Sequence, residues 1–327
     1  MLTATSSSRE RVERVSLPVR AVLAVSGGAD SMVMASRLID TARDRVAAIA
    51  TFDHGTGAFA RAAAERVADW ARERGIAIRV GTAAGLPRSE TAWRAARWAF
   101  LREVSAEFGA PVATAHTEDD QAETVFIRLL RQSGVRGLAG LLADGAVMRP
   151  MLDVPRAVIR ACAVEESVPF LDDPSNGDLR HLRNRVRLEL LPAIEVGTPG
   201  FRAWLLALGR DAAWWRREVA RAVENAWAPI VQSDGVRAFV PRDRRHLPAA
   251  DEAALFWPEV AGRIGVALDR RGTARLASFT TLHATGLQMP LSGGVRVHSA
   301  RDGWTIERTG ARATLALPSE RRAPPED

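Results

Sequence analysis

Residues 20–31 read RAVLAVSGGADS. The apolar run Ala21 to Val25 stops at Ser26-Gly27-Gly28, and Ala29 to Ile39 continues with apolar residues at helical spacing. The segment is therefore a strand, a glycine turn and a helix. Glycines let backbone N–H groups turn toward an anion, Ser26 and Ser31 add hydroxyl donors, and the helix N-terminus contributes positive potential. Asp30 stands out, because an acid in an anion cradle repels its ligand unless a divalent cation lies between them. The plainer reading makes Asp30 a helix cap. The triplet Ser292-Gly293-Gly294 lacks the acid and the following helix, so it carries no such implication.

The same unit recurs downstream. Val46–Phe52 precedes a helical stretch at 60–74, Ile76–Val80 precedes one at 90–108, and Pro111–Ala115 precedes one at 119–132. Short buried runs alternating with helices predict an α/β fold, a doubly wound parallel sheet with ligands beyond the carboxyl ends of its strands. The proline and glycine stretch 191–200 predicts a boundary, giving a first domain over 1–200. A smaller helical domain with a short β element follows over 201–315, and 316–327 reads as an unstructured tail. In 201–227, Arg210, Arg216, Arg217 and Arg221 interleave with Trp204, Trp214, Trp215 and Trp227, a pattern suited either to RNA contact or to core packing.

The 327 residues are 47% hydrophobic and 26% charged, a globular composition. One cysteine, Cys162, excludes a disulfide framework, a four-cysteine zinc site and a CxxC redox pair. No apolar run is long enough for a membrane span and the first twenty residues lack a signal-peptide core, so a cytoplasmic location is expected. Every one of the 45 basic residues is Arg. Base composition of the genome and recruitment of guanidinium groups for phosphate explain this equally well. The net charge of +6 permits a polyanionic partner.

His116 ends the fourth apolar run, and Asp119, Asp120 and Glu123 open the next helix. Acids are favoured in a first turn, and Asp120 and Glu123 share one helix face, where they suit an ammonium ion or a metal. Asp173-Pro174-Ser175-Asn176 has turn chemistry, and Asn184 lies between Arg183 and Arg187 on a helix that could grip phosphate or pair with the acids. His181, His246, His283 and His298 show no ligand spacing.

The loop at 26–31 resembles the SGGxDS loop of the PP-loop ATP pyrophosphatases. The run Ala115-His116-Thr117-Glu118-Asp119-Asp120-Gln121-Ala122-Glu123-Thr124 is similar to a signature of the tRNA(Ile)-lysidine synthetases, as are Arg128–Arg131 and Ser133–Gly140. So are Arg149-Pro150-Met151-Leu152, Asp172–Asn176, Arg183–Arg187 with Leu190-Leu191-Pro192, Phe52-Asp53-His54-Gly55, and Glu90 with Arg94, Arg97 and Trp98. The resemblance spans about 20–195. Thr117 replaces a usual histidine, Trp98 a usual tyrosine, and Thr56-Gly57 a usual Leu-Arg.

The resemblance implies a PP-loop, adenine-nucleotide alpha-hydrolase-like first domain and an ATP-dependent ligase. The wobble cytidine of tRNA(Ile) with a CAU anticodon would be adenylated at C2, and free L-lysine would then displace AMP to give lysidine. ATP would be held by Ser26, Gly27, Gly28, Ala29, Asp30, Ser31, Phe52, His54 and His116, with Mg²⁺ on Asp30. Asp120 and Glu123 would hold lysine, with Arg94, Arg97, Arg183, Asn184 and Arg187 on the substrate side. Asp30, Asp120 and Glu123 form the catalytic set. No membrane partner is expected, and a homodimer is compatible with the pattern. The alternatives are another adenylating PP-loop enzyme such as a tRNA thiolase, and a non-catalytic RNA- or nucleotide-binding module.

Overall fold

The computed structural model describes residues 6–55, 57–83, 89–143, 145–227, 231–242, 252–282, 284–291 and 294–309. Thr56, His246, His283, Ser292-Gly293 and the tail at 316–327 lie outside the described residues, as do the side chains of Glu90 and Trp227. The chain divides into two compact units, Met1–Ala213 and Trp214–Asp327. No helix among the described residues is long and apolar enough to cross a membrane.

The first unit runs α1 (Ser6–Glu13), β1 (Ala21–Ala24), α2 (Ala29–Ala42), β2 (Val46–Asp53), α3 (Ala58–Glu73), β3 (Ile78–Thr82), α4 (Glu90–Phe108), β4 (Val112–Thr114) and α5 (Glu118–Leu130). It continues through α6 (Val135–Leu138), β5 (Val147–Met148), α7 (Arg156–Glu165), α8 (Leu182–Arg185), α9 (Leu191–Gly197) and into α10 (Phe201–Trp227). The five strands are parallel in the order β3-β2-β1-β4-β5. β1 is buried along its whole length, as expected of a central strand covered on both faces. One face packs Leu23 and Ile49 against Met32, Val33 and Leu38 of α2 and Ile159 and Cys162 of α7. The other packs Val22, Ala24 and Ala50 against Leu101 and Val104 of α4.

The expected strand and helix alternation is present, with the third strand beginning two residues later than its apolar run. Ile76 is buried in the core although it precedes β3. β5 has two residues, too few to register as a periodic run. Leu191–Gly200 forms α9 and a turn. Beyond it, Phe201, Leu205 and Leu208 of α10 pack with Val125 and Phe126 of α5, so the division between units falls inside α10. Gly209 permits this approach: a Cβ there would lie 2.5 Å from Gln121, whose buried amide accepts from the Leu141 N–H and donates to the Ala139 carbonyl.

The second unit carries β6 (Gln232–Ser233), β7 (Arg237–Pro241), α11 (Ala253–Gly262), α12 (Arg270–Thr281), β8 (Gln288–Leu291), β9 (Val295–Ser299) and β10 (Gly303–Arg308). Its sheet is antiparallel in the order β6-β7-β10-β9-β8. Phe256 and Trp257 of α11 and Trp304 of β10 fill its core, with Trp257 and Trp304 edge to face at 6.2 Å.

Gly81 fixes how α4 meets the strand ends, since a Cβ there would come within 2.7 Å of both the Phe100 and Phe52 rings. Gly81→Ala is expected to destabilise the protein by about 1–3 kcal/mol through overpacking, read as an earlier midpoint in urea unfolding.

Candidate active site

β1 ends in a loop whose conformation is set by glycine and two serines. Gly27 adopts φ +86°, a region natural only to glycine, and a Cβ there would press on Ala63 of α3. Ser31 Oγ accepts from the Ser26 N–H at 3.1 Å, lies 3.1 Å from Ser26 Oγ and donates to the Gly28 carbonyl at 3.0 Å. Gly28 begins α2 with no side-chain cap, so the first N–H groups of a fourteen-residue helix remain available to an anion. Asp30 sits in that first turn with its side chain partly exposed, and it does not serve as the cap.

The second element is the start of α5. Thr117, the residue standing where a histidine is usual, is its N-cap. Its Oγ accepts from the Asp120 N–H, while Asp120 Oδ2 accepts from the Thr117 N–H and hydroxyl, both at 2.9 Å. This capping box fixes Asp120 and brings Glu123 onto the same inward face, where both are buried.

The sequence reading missed the residue that joins these elements, Arg156. One guanidinium donates to Asp120 Oδ1 at 2.8 Å, Glu123 Oε1 at 3.1 Å and Asp30 Oδ2 at 3.3 Å. Arg156 occupies the first turn of α7, the wrong end of the dipole for a cation. Asp119 compensates by accepting the Arg156 backbone N–H at 2.7 Å and an ion pair from Arg202. A lone arginine opening a helix just after the matched stretch 149–152 was the available signal.

Arg183 and Arg187 also converge on the acids. Arg183 donates to Glu123 Oε2 at 2.9 Å and to Thr124 Oγ, and Arg187 donates to Glu123 Oε1 at 2.8 Å. Four carboxylates (Asp30, Asp119, Asp120, Glu123) thus meet four guanidiniums (Arg156, Arg183, Arg187, Arg202). Asn184 lies apart from this cluster and holds the 175–178 turn through the Ser175 and Asp178 carbonyls. Phe52 and His54, at the end of β2, are ring neighbours at 5.2 Å. His116, after β4, lies 2.8 Å from Thr114 Oγ. Arg94 is exposed on α4 and Arg97 half-buried.

Burial and partners set the protonation states. Burial raises Asp120, but Arg156 and Arg183 reverse that and hold it below the usual carboxylate range. Burial leaves Asp30 raised, with Asp120 adding to the effect and Arg156 opposing it. Burial pushes His116 down to about 4, and Arg149, Arg183 and Arg97 add to that against Asp120, so its imidazole is neutral at pH 7. Burial and Arg97 lower His54 too. Among the described residues no three His, Cys, Asp or Glu side chains form a metal cage. Asp30 alone in the loop still suits Mg²⁺, which binds through one or two carboxylates with substrate phosphates and retained waters.

Arg156→Met removes the hydrogen-bonded guanidinium of Asp30 and Asp120 and one of the three that hold Glu123. A loss of about 3–5 kcal/mol is expected at pH 7, the size seen when one member of a buried ion pair is removed. In wild type, the depressed Asp120 contributes stability that is lost as pH falls through its folded pKa. In the variant Asp30 and Asp120 lose a positive charge that lowers them in the wild type, so their folded pKa values rise and acid relieves them. The wild-type advantage therefore shrinks as urea melts are taken from pH 7 to 5.

A family profile described as a PP-loop domain matches residues 5–194. The chain is 37% identical to the tRNA(Ile)-lysidine synthase of Salinispora tropica over 290 residues, covering 84% of each protein. It is 38% identical to that of Streptomyces coelicolor over 247 residues, covering 69% of each. Among solved structures, the U34-tRNA thiolase NcsA from Methanococcus maripaludis shares the fold, with a TM-score of 0.51 at 16% identity over 63% of this chain and 78% of that one. With a PP-loop match over more than half its length and relatives of this identity over most of it, the chain belongs to the tRNA(Ile)-lysidine synthase family of ATP-using PP-loop enzymes.

Proposed function

We propose that this tRNA-modifying ligase adenylates C2 of the wobble cytidine in tRNA(Ile) with a CAU anticodon and replaces AMP with L-lysine. The observation that carries the reading is the meeting of Asp30, from the phosphate loop, with Asp120 and Glu123, from the acidic helix, on the single guanidinium of Arg156. That meeting supports a reading in which nucleotide and amino-acid chemistry share one place.

In this reading the C2 oxygen of the cytidine attacks the α-phosphorus, a new P–O bond forms, and the bond to the β-phosphate oxygen breaks to release pyrophosphate. The loop 26–31 and the open start of α2 hold the polyphosphate, with Phe52, His54 and His116 on the nucleotide side. Asp30 would hold Mg²⁺, which when bound supplies positive charge to the phosphates. The lysine side-chain amine then attacks C2, the C2–O bond breaks, and AMP departs. In this reading Asp120 meets that amine: its Oδ1 accepts one hydrogen bond, from Arg156, while Arg183 and Arg187 stand off at 3.6 and 3.8 Å, so it can accept a second. Glu123 is saturated by Arg156, Arg183 and Arg187 and acts through them.

The balance of four acids against four arginines bears on the nucleophile. An unpaired carboxylate pair would stabilise lysine as ammonium and raise its pKa, whereas attack requires the neutral amine. A compensated cluster orients the amine without trapping its proton. Sulfur transfer is disfavoured, because Cys162, the one cysteine of the chain, is buried in the core.

The test supplies protein, ATP, Mg²⁺ and labelled lysine with either tRNA(Ile) bearing CAU or elongator tRNA(Met). Lysine is expected in tRNA(Ile) alone, with AMP and pyrophosphate released. Equal labelling of both RNAs would defeat the specificity, and AMP release without lysine transfer would favour another adenylating reaction. Asp30→Ala is expected to slow pyrophosphate release by about a hundredfold or more with RNA binding intact, whereas a purely binding protein would show no difference.

A further inference from the structure

The three contacts of Arg156 belong to one planar group. Nε donates to Asp30 Oδ2 at 3.3 Å, Nη2 to Asp120 Oδ1 at 2.8 Å and Nη1 to Glu123 Oε1 at 3.1 Å, so the guanidinium is anchored at three points and its atoms cannot leave them one at a time. The contact with Asp30 is the longest. Glu123 is also held by Arg183 and Arg187, so it keeps two arginines wherever Arg156 goes. Asp30 has no other arginine within ion-pair distance among the described residues, and Asp120 has Arg183 and Arg187 only at 3.6 and 3.8 Å.

The oxygens that Arg156 occupies are the ones on which the proposed reaction depends. Asp120 Oδ2 is taken by the Thr117 N–H and hydroxyl, both at 2.9 Å, which leaves Oδ1 as the acceptor for an amine. That oxygen already holds Nη2 of Arg156. Asp30, the acid that would hold Mg²⁺ beside the nucleotide, already holds Nε. A cation arriving at either acid therefore meets a guanidinium in place, and two cations on one carboxylate repel.

We propose that Arg156 is a positioning residue that couples the two halves of the site: Mg·ATP drawn to Asp30 dislodges the guanidinium from that acid, the planar group shifts off Asp120 Oδ1 with it, and lysine then binds more tightly. By linkage, lysine strengthens nucleotide binding by the same factor. The identity of the two ligands rests on the function proposed above, while the coupling rests on one rigid group shared by acids of α2 and α5.

The test is calorimetric titration of L-lysine into the full chain, without RNA, in the presence and absence of Mg²⁺ with α,β-methylene ATP. Wild type is expected to bind lysine roughly tenfold more tightly with the nucleotide analogue, and the analogue to bind more tightly by the same factor at saturating lysine. In Arg156→Lys, whose ammonium cannot bridge three acids, both factors should fall to within about twofold. Asp30→Ala removes one anchor of the guanidinium, so without nucleotide it should bind lysine nearly as tightly as wild type does with nucleotide; this second variant decides the matter if Arg156→Lys fails to fold. A wild-type lysine affinity that nucleotide leaves unchanged or weakens overturns the proposal, because the guanidinium then stays on Asp120. So does coupling that persists in full in Arg156→Lys, or an Asp30→Ala variant that binds lysine no more tightly than nucleotide-free wild type. Saturable lysine binding without coupling removes only this role of Arg156 and leaves the proposed reaction standing, whereas a wild type that binds no lysine in either condition overturns the amino-acid assignment and the coupling together.

Discussion

The guanidinium of Arg156 reaches Asp30, Asp120 and Glu123, and through those contacts the phosphate loop, the start of α5 and the start of α7 are held in one geometry. None of the three elements would keep it alone. Asp30 is an acid whose burial raises its pKa, Asp120 and Glu123 are buried acids, and Arg156 is a cation at the positive end of a helix. Each is unfavourable by itself. Together they are mutually compensating, and the capping box at Thr117 and the Asp119 contact to the Arg156 backbone remove the remaining freedom.

This arrangement explains why arginine serves here, whatever the origin of a lysine-free composition. A guanidinium has five donors in a planar fork, so Arg156 can address three carboxylates from one position. An ammonium, a compact point charge, could not span them in the same way. Arg156, Arg183, Arg187 and Arg202 are neutralised by the acids of α2 and α5.

The tryptophans show a similar division that residue type does not reveal. Trp257 and Trp304 are core residues of the second unit, with Arg242 stacked 4.4 Å above the Trp304 ring. Trp204 and Trp214 on α10 are 51% and 59% exposed, and Trp204 stacks on Phe201. Both fates were open for the interleaved Trp and Arg pattern of α10. There Trp204 and Trp214 lie on the exposed face, while the core tryptophans come from α11 and β10; the difference is one of packing and not of composition.

The sheet was legible because buried parallel strands are continuous apolar runs and their helices carry a clear period; Ala21–Val25 and Val46–Phe52 needed nothing more. The glycine turn between β1 and α2 was legible because an apolar run that stops at Ser-Gly-Gly before a helical period marks a strand, a turn and a helix. The two-residue strand β5 and the division inside α10 were not, since the first is shorter than any period and the second depends on Gly209 admitting Gln121. Sequence alone determined the alternation, the glycine turn after β1 and the acidic face of α5, each local to a few consecutive residues. Only the tertiary structure decided that Arg156 closes on acids 33, 36 and 126 positions away, because charge pairing depends on distance in space, which a linear spacing does not contain.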